Sequence, residues 1–306
     1  MKAAFIERHG GPEVFQYGDL PDPVAGPGEA VIDIVAASVN AADWKVRSGL
    51  YQQTRFPVIP GRDFSGVISA VGEGVADLTV GDEVFGVCAS GQEGAYAEKV
   101  AVKAGILAKK PDGLSHIHAA ALALTGLTAL SAVEETLQLH CGETILIQGG
   151  AGGVAGFAIQ LAKQIGARVI TTASAANRDY VHSLGADEII DYNAEDFTQV
   201  VSGCDAVLDT VGADVTQRCF AVLKPGGRAA FIASGEEPPV PPRGGVTSLR
   251  PPVTRGRRPL ERIAKLFLSG AVRAPEITLY RLAEAADAHR LSGSRHLRGK
   301  LVFAVQ

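Results

Sequence analysis

The sequence predicts an α/β protein of two parts, a β-rich one followed by one built on a parallel sheet. Three observations predict it. The chain has 306 residues, more than one small core organises, which favours two domains. Up to about residue 110, short β-branched segments recur between Gly, Pro and Asp punctuation, at the spacing of a small barrel or sandwich. From Glu143 onward, strand-like apolar runs alternate with helical ones, the pattern of right-handed βαβ crossovers.

The elements follow in order. AVIDIVAA (30–37), GVISAVG (66–72), DEVFGV (82–87) and YAEKVAV (96–102) read as the strands of the first part. Pro21-Asp22-Pro23, Gly26-Pro27-Gly28 and Val80-Gly81-Asp82 are turn signals around them. Residues 115–137 are rich in Ala and Leu and read as one or two helices. ETILIQ is followed by a glycine loop and the helix FAIQLAKQIG, and RVITTA (168–173) by the helix ANRDYVHSLG. EIIDY (188–192), DAVLDTVG (205–212), a helix over 214–223 and GRAAFIAS (227–234) continue the alternation. Residues 236–259 read as a Pro- and Arg-rich loop with an edge strand near GVTSLRPPV, because proline bars a central position. PLERIAKLFLSG reads as a helix and the tail RGKLVFAVQ as a short strand.

Composition narrows the function. A hydrophobic fraction of 46% with 20% charged residues is an ordinary globular mixture. The formal net charge of −4 supplies no broad basic field for nucleic acid or an anionic membrane. MKAAFIERHG lacks the apolar core of a signal peptide. The apolar run at 119–133, bounded by His118 and Glu134, is too short to span a bilayer and reads as a buried helix. A cytoplasmic location is the expectation. Cys88, Cys141, Cys204 and Cys219 form no C-x-x-C pair, and buried inert thiols are the simplest reading.

QGGAGGVAG, residues 148–156, carries the most information. Five of its nine residues are glycine, between a strand and a helix. Glycine there loses backbone entropy on folding, a cost accepted where something must approach the backbone closely. Gly150-x-Gly152-x-x-Ala155 fits G-x-G-x-x-G/A, and its strand–turn–helix–strand context marks a dinucleotide loop. The helix N-terminus then favours a pyrophosphate. An NAD site normally carries an acid at the end of the second strand, for the ribose 2′-OH. No acidic residue lies between Glu143 and Asp179. That strand instead runs into Ser174, Asn177 and Arg178, which suit a 2′-phosphate, so NADP(H) is favoured. The alternative for Arg178 is an exposed residue of a first helical turn.

VAASVNAADWKVRSGLY, PGRDFSGVISAVGEGV, VGDEVFG, GAYAEKVAV, ALTGLTAL, ILIQGGAGGVAGFAIQLAK, SLGADEIIDY, DTVG, LKPGGR and RGKLVF occur in this order. Together they resemble the medium-chain dehydrogenase/reductase superfamily, and within it the zinc-free quinone oxidoreductase and enone reductase branch. The likeness covers nearly the whole chain and is weakest over 236–259.

The resemblance implies a GroES-like β-barrel catalytic domain over 1–122, completed by 270–306, and a Rossmann doubly wound parallel-sheet domain over 123–269. It implies a dimer through Rossmann edge strands, here near Val246–Leu249. Zinc-dependent members carry an early Cys and a Gly-His-Glu motif, where this chain has Ser38-Val39-Asn40-Ala41-Ala42-Asp43 and Gly61-Arg62-Asp63. Zinc needs about four N or S ligands, and no zinc is expected. His116 and His118 are two apart and diverge on a helix.

The implied activity is NADPH-dependent hydride transfer to quinones or to the C=C of α,β-unsaturated carbonyl compounds. By resemblance, Asn40 and Tyr51 lie near nicotinamide and substrate. Thr125 and Thr128 approach the cofactor, and Gly150, Gly152, Gly153 and Val154 bind its pyrophosphate. Ser174, Arg178 and Tyr192 hold the 2′-phosphate end, Gly212, Ile232 and Ser234 contact ribose and nicotinamide, and Lys300 closes the site. Tyr51 and Lys300 read equally as surface side chains. The rival functions are a non-catalytic NADPH-binding redox sensor and a tailoring reductase for one specific metabolite, with zinc-dependent alcohol oxidation a third.

Overall fold

A computed structural model describes residues 1–51, 55–233, 235 and 237–305. Internal contacts divide the chain into two compact units. One comprises Met1–Leu124, Arg255–Leu268 and Ala274–Gln306, the other Thr125–Thr254 and Ser269–Arg273.

The first unit opens with an antiparallel hairpin, β1 (Lys2–Ile6) with β2 (Phe15–Asp19). Its central strand is β3 (Glu29–Ser38), apolar and β-branched, paired antiparallel with β4 (Asp63–Val71) and β6 (Lys99–Lys103). Bulges between Val31 and Ile32 and between Ile34 and Ala36 fall along its pairing with β4, and bulges bend a strand. Helix α1 (Ala41–Ser48) starts directly after β3, where Asp43 Oδ2 accepts the Asn40 backbone N–H at 2.8 Å. It stops at Gly49, whose φ of 86° suits a residue without Cβ. Strands β5 (Glu83–Val87) and β7 (Leu107–Lys109) complete this half of the sheet.

Helix α2 (His116–Leu130) continues through a π-helical stretch, Ser131–Thr136. The continuous helix is 21 residues, long and apolar enough to cross a membrane by length and composition. The expectation from the 119–133 run, that the segment is too short to span, is therefore corrected. The π turn carries the helix past Glu134, and 78% of its apolar window is buried within the protein, as in a core helix.

The second unit holds β8 (Thr144–Ile147), α3 (Gly153–Ile165), β9 (Arg168–Ala173), α4 (Arg178–Ser183) and β10 (Glu188–Asp191). α5 (Phe197–Val200), β11 (Cys204–Asp209), α6 (Asp214–Arg218), β12 (Leu223–Phe231) and β13 (Thr247–Leu249) follow. The six strands lie parallel in the order β10-β9-β8-β11-β12-β13. The order reverses between β8 and β11, and the crevice beyond the carboxyl ends at such a reversal is where dinucleotides bind. The expected edge strand is β13, paired with β12 on one side.

Helix α7 (Arg257–Leu268) belongs to the first unit, whereas the sequence placed 123–269 together in the second. Its apolar stripe of Leu260, Ile263, Ala264 and Leu266 is buried against β7 and β5. The tail adds β14 (Ile277–Arg281), α8 (Ala285–Gly293) and β15 (Lys300–Ala304). β15 pairs parallel with β14 and antiparallel with β3, so a C-terminal strand closes on the N-terminal sheet. That pairing brings Lys300 beside the end of β3.

Candidate functional site

Where β3 hands over to α1, polar side chains converge in the interior of the first unit. Asp63, the first residue of β4, is fully buried. Its carboxylate accepts Ser38 Oγ at 2.9 Å, Asn40 Nδ2 at 2.7 Å and the Leu124 N–H at 3.3 Å. Lys300, 3% exposed, donates to Val39 O and to Asn40 Oδ1, each at 2.7 Å. Burial pushes the Lys300 ammonium down and the Asp63 carboxyl up, and the opposite charge of each resists the other's shift. The bridge between them is the Asn40 amide.

A second chain of bonds meets the first at Asn40. The Tyr96 hydroxyl donates to Asp43 Oδ2 at 2.7 Å. That uses its one proton, so the Tyr96 oxygen takes the Nε2–H of His289 at 3.2 Å. Imidazole Nδ1 of His289 is then the unprotonated nitrogen, and it is buried without a partner. Burial and the Arg47 charge push His289 down to about 3. Asp43 is pushed up to about 6, by burial first, with the Asp63 charge adding and Arg62 opposing. Glu93 is pushed up to about 7 by burial and the Asp43 charge, against its 2.8 Å ion pair with Arg62.

Tyr51, just beyond α1, is 37% exposed. Lys45 Nζ stands 5.6 Å and Arg62 Cζ 5.8 Å from its ring centroid, within cation–π range. Two fixed positive charges therefore flank the phenol ring. In sequence these partners are invisible, because they come from α1 and from the segment before β4.

Zinc ligation finds no donor set here. Among the described residues no group of three or more His, Cys, Asp or Glu is placed to hold a metal ion. At Gly61-Arg62-Asp63 the one carboxylate of the segment already accepts three hydrogen bonds.

In the second unit the glycine loop lies between β8 and α3. The left-handed turn falls on Gly149, φ 75°, one residue ahead of the G-x-G-x-x-A pattern. Gly150 is required by packing, since a Cβ there would stand 2.5 Å from Thr171 Oγ1. Gly152 precedes α3, and a Cβ there would meet only Gly149 O at 3.4 Å, so its outer face is open. The first bond of the helix runs from Gly156 N to Gly152 O at 2.8 Å. The N–H groups of Gly153, Val154 and Ala155 precede it at the positive end of α3, an arrangement that fits a pyrophosphate.

Ser174 and Arg178 follow the end of β9 and Tyr192 follows the end of β10, where Asp191 pairs with Ala173. Ser174 Oγ accepts Asn177 Nδ2 at 3.2 Å, Arg178 Nη2 donates to Ile189 O at 3.2 Å, and Tyr192 is 48% exposed. No carboxylate ends β9, so this group fits a phosphate-bearing ribose. Across the reversal, Gly212 (φ 79°) donates its N–H to buried Asp209 at 2.9 Å, and Ile232 N donates to Asp209 O at 3.2 Å. Asp209, which the motif reading missed, also accepts the Val211 N–H and the Thr216 hydroxyl and so shapes this turn. Thr125 and Thr128 are buried in α2. Ser234 lies outside the described residues.

The chain matches the alcohol dehydrogenase GroES-like domain over residues 26–112 and the zinc-binding dehydrogenase domain over residues 184–303. It is 32% identical over 316 residues to the chloroplastic NADPH-dependent alkenal/one oxidoreductase of Arabidopsis thaliana, covering 99% of this chain and 79% of that protein. Among solved structures, the quinone oxidoreductase of Coxiella burnetii is 33% identical, with a TM-score of 0.92 over 100% of this chain and 99% of that one. The Escherichia coli quinone oxidoreductase complexed with NADPH is 26% identical, with a TM-score of 0.91 over 100% of both chains.

Proposed function

The chain belongs to the medium-chain dehydrogenase/reductase family, and from that membership we propose an NADPH-dependent oxidoreductase that reduces quinones or the C=C of α,β-unsaturated carbonyl compounds without zinc. One observation carries the zinc-independent part. Gly61-Arg62-Asp63 stands in place of the Gly-His-Glu motif of zinc-dependent members, and its Asp63 is taken up by hydrogen bonds from Ser38, Asn40 and Leu124. Alcohol oxidation would want a Lewis acid there, whereas an already polarised C=C or quinone can accept hydride without one.

The second unit binds the cofactor in this reading. Gly152, Gly153 and Val154 hold the pyrophosphate at the start of α3, and Gly150 keeps the loop tight against β9. Ser174, Arg178 and Tyr192 take the 2′-phosphate end, Thr125 and Thr128 approach the phosphate or nicotinamide side, and Gly212 and Ile232 contact ribose and nicotinamide. Bound NADPH supplies hydride to the β-carbon of the acceptor. Negative charge then develops on the acceptor's carbonyl oxygen, where preorganised donors and cations lower the barrier. Asn40 and Tyr51 are the proposed donors, with Lys45 and Arg62 flanking the Tyr51 ring to favour an anion beside it. A homodimer through β13 and a cytoplasmic location complete the proposal.

The test is NADPH consumption by the purified protein with a small unsaturated ketone, with and without a strong chelator. Undiminished turnover is expected in the chelator. Loss of turnover that added zinc restores would reject the zinc-free reading.

A further inference from the structure

The Asn40 amide is clamped at both ends. Lysine has only donors, so the atom 2.7 Å from Lys300 Nζ is the amide oxygen. An ionised carboxylate only accepts, so the atom 2.7 Å from Asp63 Oδ1 is the amide nitrogen. The flip of Asn40 is therefore fixed by its neighbours. Its second N–H has only a long 3.5 Å contact, to Ser38 O, which is near the limit of a hydrogen bond.

Two opposite charges are thus buried with a neutral amide between them. Removing one partner of a buried pair is far more damaging than replacing both, and charge-free replacements are often neutral or stabilising. Stability alone does not call for this arrangement. The cation on Oδ1 draws electron density from the amide, and hydrogen bonds in such a chain polarise one another.

We propose that Lys300 and Asp63 are positioning residues that make Asn40 an obligate hydrogen-bond donor to the acceptor's carbonyl oxygen. This rests on the reductase reading above. It separates Lys300 from the cofactor: its ammonium acts through Asn40, and what it influences is the step in which charge builds on the acceptor. As hydride bonds to the β-carbon, the C=C pair shifts to join the α-carbon to the carbonyl carbon and the C=O π pair moves onto oxygen, giving an enolate. In this proposal the second Asn40 N–H, held only by its 3.5 Å contact to Ser38 O, turns to meet that charge, and a proton from water later completes the α-carbon.

The decisive variant is the charge-neutral double substitution Lys300→Met with Asp63→Asn, since Lys300→Met alone strands a buried carboxylate. The double variant is expected to melt within a few degrees of the wild type and to bind NADPH with unchanged Kd. Its kcat for a small enone is expected to fall about 10²-fold, the size of a lost oxyanion donor, with KM little changed. Two results would overturn the proposal: full kcat in the double variant, or NADPH binding weakened in step with kcat. If the wild-type protein reduces neither an enone nor a quinone, the reductase reading fails instead, and that outcome is distinguishable from both.

Discussion

The Tyr96 hydroxyl donates a hydrogen bond to Asp43 Oδ2 across 2.7 Å, joining residues 53 positions apart in the chain. Because the one hydroxyl proton is thereby used, His289 is fixed as the donor to Tyr96 and remains neutral inside the barrel. The pair forms the base of the α1 N-terminus, since the same Asp43 oxygen receives the Asn40 N–H. Core packing and the candidate site therefore share one carboxylate.

His289 makes stability depend on pH. Its pKa falls from 6.5 in the unfolded chain to about 3 in the fold. A depressed pKa stabilises the fold above the unfolded value and loses that contribution as pH falls, because the unfolded chain binds a proton that the folded one refuses. Between pH 6.5 and 4 this term weakens the wild type by up to about 1.4 kcal/mol per pH unit. His289→Gln keeps a donor for Tyr96 and does not titrate. Urea unfolding of both proteins across this range should show the variant gaining on the wild type as pH falls; parallel curves would contradict it.

Two glycines of one loop should respond differently. Gly150→Ala forces a Cβ to 2.5 Å from Thr171 Oγ1, a buried side chain already bonded to Ile147 O. Overpacking of this kind costs about 1–3 kcal/mol, read as a lowered denaturation midpoint. Gly152→Ala meets only Gly149 O at 3.4 Å and has an ordinary φ of −77°. It should leave stability within about 1 kcal/mol and weaken NADPH, by titration, at least tenfold.

Arg178→Ala should weaken NADPH by roughly 1.5–3 kcal/mol, the range for a charged hydrogen bond, and leave NADH almost unchanged. Titration of both nucleotides checks it. Equal losses would move the 2′-phosphate away from Arg178 and leave its Ile189 contact as structural.

How much of this could be read from the sequence depends on range. The strands from Thr144 to Phe231 announce themselves by local periodicity, and the glycine loop by its place between a strand and a helix. Yet periodicity could not say that α7 buries its stripe on the barrel, since an amphipathic face does not name its partner. The hairpin of β1 and β2 and the tail elements β14 and α8 were not anticipated. The motif located the loop but not the left-handed turn on Gly149, because three neighbouring glycines are equally permissive. Lys300 was legible as important and not as a clamp on Asn40, a contact made across 260 residues by the pairing of β15 with β3. His289 carried no local signal at all; only burial beside Tyr96 gives it meaning.

The central claim is hydride transfer to a conjugated acceptor, which in an enone means the β-carbon of the C=C rather than the carbonyl carbon. The most direct measurement is turnover of a small unsaturated ketone with NADPH deuterated at the transferred position, with the product identified by mass and NMR. The account predicts a saturated ketone labelled at the β-carbon. An allylic alcohol labelled at the former carbonyl carbon would contradict it.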